Sequence, residues 1–160
     1  MLNGAITLGT LDGANVEICD AVGEENMFLF GMKTPEVEQL KRNGYHPMNY
    51  INNNSMLKSA VDFINGGING KTFGEISSSL MNVDPYMVLA DFADYHEAQI
   101  KSSKVYQDKI AFAKMSLMNI SGAGVFSADR SISDYANNIW KTKPVVFEET
   151  KTKKSSKKSK

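Results

Sequence analysis

The chain has 160 residues, 42% of them hydrophobic and 22% charged, which suits one compact domain with its own core and excludes a disordered or fibrous chain. No apolar run approaches the ~20 residues a membrane helix needs, and the opening Met-Leu-Asn-Gly-Ala lacks the basic-then-apolar pattern of a secretory leader. The formal net charge of zero hides a split: residues 151–160 carry six lysines and no acid, so residues 1–150 stand at a formal −6, the wrong sign for a generic nucleic-acid binder.

Residues 4–31 read as strand, turn, helix, strand. Ala5-Ile-Thr-Leu8 is short and apolar, and Gly9-Thr-Leu-Asp-Gly13 supplies turn chemistry. Asp12 or Gly13 then begins a helix over residues 14–21 that stops at Gly23. Met27-Phe-Leu-Phe30 reads as a fully buried strand. Two strands joined by a helix form a βαβ unit, which predicts parallel pairing.

Everything after Gly31 reads as helix. Thr34-Pro35 predicts an N-cap with proline in the first turn, and the helix runs to Asn43-Gly44. Ser55 caps the next, with Leu57, Ala60, Val61 and Ile64 on one face and Gly66-Gly67 as its stop. Phe73, Ile76 and Leu80 carry further amphipathic turns, and Asp84-Pro85 opens a longer helix bearing Val88, Leu89, Phe92, Tyr95 and His96. A helix over residues 109–120 gathers Ile110, Ala113, Leu117 and Ile120 and breaks at Ser121-Gly-Ala-Gly124. In the last helix Ser131 and Asp134 approximate a capping box, and Ile132, Tyr135, Ala136 and Ile139 form its buried stripe. Pro144 ends regular structure, so the folded part spans residues 1–145, and residues 146–160 form a disordered Lys/Ser-rich tail.

A parallel sheet of two strands has two open edges and uncovered faces, so this pattern reads as one piece of a larger sheet. Local chemistry is sparse. Gly9-Thr-Leu-Asp-Gly-Ala-Asn15 joins a strand to a helix, the usual place for a phosphate, but Asp12 and Glu17 oppose an anion there, and a structural turn is the favoured reading. Gly122-Ala-Gly124 reads as a helix breaker. His46 and His96 lie 50 positions apart, with Cys19 near neither, so no metal site is expected. Cys19, the single cysteine, cannot form an intrachain disulfide; it reads as core rather than nucleophile, in a reducing, cytoplasmic setting. Asp91 and Asp94, three apart on a helix, read as a solvated face. No self-contained catalytic constellation emerges.

Three stretches carry a resemblance. Met1-Leu-Asn-Gly-Ala-Ile-Thr-Leu-Gly-Thr-Leu-Asp-Gly-Ala-Asn-Val-Glu-Ile18 with Gly23-Glu-Glu-Asn-Met-Phe-Leu-Phe-Gly31 resembles the segment after the cofactor lysine of α-glucan (glycogen/starch/maltodextrin) phosphorylases. Phe126-Ser-Ala-Asp-Arg-Ser-Ile-Ser-Asp-Tyr-Ala-Asn-Asn-Ile-Trp140 resembles the family's closing helix, and Ala90-Asp-Phe-Ala-Asp-Tyr95 matches in type and order. The likeness covers about residues 1–145 and implies the C-terminal part of a Rossmann-like domain in a two-domain GT-B-type glycosyltransferase fold.

The resemblance implies a parent that phosphorolyses α-1,4-glucan to glucose 1-phosphate, using pyridoxal phosphate and inorganic phosphate, as a cytoplasmic homodimer. Leu2 and Asn3 fill the last two places of the cofactor signature, so its Schiff-base lysine is expected two positions before Met1. On that reading the chain holds no catalytic residue and binds no cofactor by itself. Asn3, Thr10 and Asp12 are candidates only for supporting the residues that touch the cofactor. The expected partner is the remainder of a phosphorylase chain, with no specific nucleic acid and no membrane. The alternative is a non-catalytic interaction module that keeps the phosphorylase fold.

Overall fold

The computed structural model describes residues 1–145; the lysine-rich tail expected to be disordered lies outside the described residues. Contacts divide the chain into two compact units, the first Met1–Val125 and the second from Phe126 onward.

In the first unit, β1 (Leu8–Gly9) and β2 (Phe28–Leu29) pair in parallel, Leu8 opposite Phe28 and Gly9 opposite Leu29. They are joined by α1 (Ala14–Val22) and a 3₁₀ turn at Glu24–Asn26. This is the βαβ unit expected from the sequence, with shorter strands. Each strand has one partner, and the ladder extends past both strand ends through Phe28 N–H on Thr7 C=O at 2.9 Å and Phe30 N–H on Gly9 C=O at 3.2 Å. Met27 and Phe28 are buried, whereas Leu29 and Phe30 are only partly so. Gly23 stops α1 as expected: its φ of +84° suits a residue without Cβ, and its amide donates to Cys19 C=O.

The remainder of the unit is helical: α2 (Thr34–Asn43), α3 (Pro47–Asn53), α4 (Ser55–Gly66), α5 (Gly74–Asn82), α6 (Phe92–Gln107) and α7 (Lys109–Gly122). Sequence reading missed α3 and placed some caps one residue late. Lys33, not Thr34, occupies the N-cap of α2, where its amide donates to Glu36 at 2.7 Å. Asn54, not Ser55, caps α4, accepting from Leu57 N–H at 3.0 Å. Ile51, Leu57, Val61 and Leu89 form the buried cluster between α3, α4 and the chain before α6, with Tyr50, Leu80, Met81 and Phe92 against it. Side chains of this size contribute about 1.5–3 kcal/mol each when removed from water.

Two expectations for this unit fail. Residues 84–91 form turns, and the helix begins only at Phe92. Asp84 and Met87 adopt φ of +37° and +55°, which a right-handed helix cannot accommodate. The Asp84 carboxylate, 2% exposed, instead accepts from the amides of Val88 (3.1 Å) and Leu89 (3.0 Å) and from the Tyr45 hydroxyl (2.5 Å).

The apolar stripe of α7 is also not buried: Ile110 is 71% and Leu117 64% exposed. The opposite face turns inward. Asn119 is fully buried, and Ser116 donates to Gly4 C=O at 2.6 Å. Gly122 is part of α7 rather than only its breaker. A Cβ there would lie 2.7 Å from Val22 Cγ1 and 2.9 Å from Ala21 C=O, so α7 crosses α1 where glycine alone fits.

The second unit contains α8 (Ala128–Asp134), continued by a π-helical segment, Tyr135–Trp140. Its cap is Ser127, which accepts from Arg130 N–H at 3.1 Å, and not the expected Ser131, whose hydroxyl donates back to Ser127 C=O. The stripe expected to be buried is exposed at Ile132 (58%) and Ile139 (64%): the described residues of this unit form one short helical rod, and a helix buries a stripe only against another element. Tyr135 and Trp140 stack at 5.5 Å, and among the described residues regular structure ends at Trp140, before Pro144.

Candidate functional site

The two parallel strands point their carboxyl ends at the same place, the usual position for a ligand crevice in an open α/β sheet. A cleft of about 710 Å³ opens there. Thr10 and Asp12 line it from the β1–α1 turn, Phe30 and Met32 from the β2 exit, and Asp91 and Tyr95 from the start of α6. Side chains of α4, among them Leu57 and Val61, form its apolar wall.

The β1–α1 turn is closed on itself. Thr10 Oγ1 donates to Asp12 Oδ2 at 3.0 Å, and Asn15 Nδ2 donates to Thr10 C=O at 2.8 Å. The amides of Asn15 and Val16 are taken by the carbonyls of Asp12 and Gly13. This supports the structural-turn reading over a phosphate site. Of the three residues singled out in the sequence, Thr10 and Asp12 come together in the cleft. Asn3 does not line it: it is exposed, and its Oδ1 accepts from Ala5 N–H at 3.3 Å.

Asp91 and Asp94 are not a free solvated pair. Asp91 Oδ1 accepts from Met32 N–H at 2.9 Å, and Asp94 Oδ2 accepts from Gly31 N–H at 3.0 Å. The two carboxylates hold the exit of β2, and the Phe30 and Tyr95 rings meet edge to face beside them at 5.2 Å. The Asp91 carboxyl is pushed up from its ordinary value, first by lost hydration; the Met32 amide opposes this, and Asp94, Asp84 and Asp12 add to it. Spacing alone flagged the pair. Its backbone partners lie about 60 residues away in sequence and had no local signal.

A matching family profile describes carbohydrate phosphorylases and covers residues 1–142. The chain belongs to the carbohydrate phosphorylase family. It is 49% identical to a glycogen phosphorylase of Synechocystis sp. over 151 residues, 92% of this chain and 18% of that protein. It is 43% identical to a glycogen phosphorylase of Pasteurella multocida over 90% of this chain, and 40% identical to the brain-form glycogen phosphorylase of Bos taurus over 92%; each match again covers 18% of the relative. This phosphorylase chain therefore spans less than a fifth of the length of the curated relatives it matches.

The residues of the cleft do not fit pyridoxal phosphate by themselves. A phosphate needs converging N–H groups or cations. Here the Asn15 and Val16 amides in the first turn of α1 are already bonded, the turn carries Asp12, and Lys41 is the one cationic side chain lining the cleft among the described residues. No catalytic step through that cofactor is assigned to this chain.

Elsewhere among the described residues, no group of three His, Cys, Asp or Glu side chains is gathered as for a metal ion. Among the described residues, no helix is long and apolar enough to cross a membrane. Cys19 is half-buried on α1, and its thiol is pushed up by burial and by Glu24, Asp20 and Glu25. That is the reverse of an activated nucleophile.

Proposed function

We propose that this chain is the C-terminal portion of an α-glucan phosphorylase and contributes one wall of a catalytic cleft that the rest of the longer chain completes. The carrying observation is the match of residues 1–142 to the carbohydrate phosphorylase family by a chain that covers only 18% of its relatives. The open two-stranded parallel sheet is consistent with the edge of a Rossmann-like domain in a GT-B-type fold. On this reading the longer enzyme, a cytoplasmic homodimer, cleaves α-1,4-glucan ends with inorganic phosphate to give glucose 1-phosphate. Pyridoxal phosphate, held by a lysine of the longer chain, supplies the acid–base phosphate group. The residues of this chain orient the strand ends and exclude water, with Thr10 and Asp12 supporting the cofactor's neighbours and Asn3 closing the turn before β1.

The chain alone is then inactive. The test is release of glucose 1-phosphate from an α-1,4-glucan by the purified chain supplied with phosphate and pyridoxal phosphate. No release is expected, nor any borohydride-reducible cofactor adduct at one specific lysine. Turnover by the chain alone would overturn the reading.

A further inference from the structure

The exit of β2 is held by α6 and the residue before it rather than by a third strand. Gly31 and Met32 give their amides to Asp94 and Asp91, at 3.0 and 2.9 Å. Gly31 has φ of +80°, and a Cβ on it would lie 2.7 Å from Asp91 Oδ2 and 3.0 Å from Thr10 Cγ2. The bare backbone of Gly31 is thus wedged between the Asp91 carboxylate and the Thr10 side chain, and Thr10 in turn holds Asp12 at 3.0 Å. Displacement of Asp91 would therefore reach the β1–α1 turn through direct contacts.

We propose that Asp91 and Asp94 are positioning residues, an acid clamp that fixes the Gly31-Met32 exit and, through Gly31, the Thr10–Asp12 turn lining the cleft. A charged acceptor bonding a backbone amide gives a stronger, shorter contact than a neutral one, which suits a loop with one neighbouring strand. The clamp concerns this chain's own residues and stands whether or not the proposed activity does.

The charged groups around Asp91 are Asp94 on α6, Asp84 in the 84–91 turns and Asp12 in the β1–α1 turn, with Lys41 of α2 lining the same cleft. Half-burial and these acids raise its carboxyl, so the folded chain holds that proton more tightly than the unfolded chain does. The stability this proton brings is present below the ordinary aspartate value and is lost as pH rises through the folded value.

The test follows the Gly31, Met32 and Thr10 amides by NMR of the whole chain between about pH 3 and pH 7, a range that brackets carboxyl titration. Wild type is compared with Asp91→Asn, Asp94→Asn and Asp91→Ala. In the wild type the Met32 amide should titrate with a midpoint above that of a free aspartate. Asp91→Asn, which keeps an acceptor oxygen, should hold Met32 near its place and abolish that titration; Asp94→Asn, which also keeps an acceptor oxygen, should hold Gly31 near its place. Asp91→Ala should shift both Met32 and Thr10. A Met32 amide that does not titrate in the wild type overturns the clamp, and so does a folded Asp91→Ala chain with Met32 and Thr10 unmoved. If Asp91→Ala does not fold, the wild-type and Asp91→Asn titrations decide alone.

Discussion

Asn119, fully buried in α7, donates through its side-chain amide to the backbone carbonyl of Asn26, 2.9 Å away and 93 residues earlier in the chain. The same nitrogen reaches Met115 C=O at 3.0 Å, so one side chain ties α7 to the 3₁₀ turn that feeds β2. Replacing Asn119 with Leu should leave Asn26 C=O without this donor in a buried place and destabilise the chain by about 1–3 kcal/mol. Urea denaturation of the two chains measures it; equal midpoints would mean that the α7–β2 tie contributes nothing.

At the other end of α7, Gly122→Ala gains helix propensity of about 1 kcal/mol but drives a methyl against Val22 and the Ala21 carbonyl. Since one of the two obstacles is backbone, overpacking of about 1–3 kcal/mol should win. Thermal denaturation is expected to show a lower Tm. A raised Tm would show that α1 and α7 separate freely.

Tyr45 lends itself to a spectroscopic test. Burial, then its hydrogen bond to Asp84 and that residue's charge, push the phenol well above its ordinary value. The folded state keeps this proton more tightly than the unfolded state, so the stability it brings is complete below the ordinary tyrosine value and is lost as pH rises through the folded value. Near pH ~10, phenolate absorbance of the native chain should fall short of that of its six tyrosines. Tyr45→Phe should remove the lagging phenol and cost about 1–3 kcal/mol. A single titration of all six in the native chain would contradict the Asp84 contact.

The exposed stripe of α7 should drive self-association of the isolated chain, because Ile110 and Leu117 present apolar surface on one helix face. Sedimentation velocity should show concentration-dependent association that Leu117→Lys weakens, with Tm shifted by no more than about 0.5 kcal/mol in stability terms. A wild-type chain that stays monomeric at high concentration would count against it.

The sequence made the βαβ unit and most helices legible because glycine and proline punctuate them: Gly23 after α1, Pro35 in the first turn of α2, Gly66-Gly67 closing α4. Asp84-Pro85 misled because the same dipeptide opens helices and turns alike. Only the positive φ of Asp84 and Met87 decides between them. Helical periodicity located the apolar stripe of α7 but cannot say what covers it, and here the polar Asn119 lies inside while Leu117 lies outside. Thr10 and Asp12 were visible as a turn between strand and helix. The roles of Asp91 and Asp94 were not visible, since contacts spanning about 60 residues leave no local pattern.

The decisive experiment is a chimera in which residues 1–142 of this chain replace the matching segment of the Synechocystis glycogen phosphorylase, to which the chain is 49% identical. The measurement is phosphate-dependent formation of glucose 1-phosphate from an α-1,4-glucan, by the pyridoxal-phosphate-loaded chimera and by this chain alone. Turnover by the chimera and none by the chain alone is the expected result. A folded, cofactor-loaded chimera with no turnover would contradict it and leave a binding module that has kept the phosphorylase fold without its chemistry.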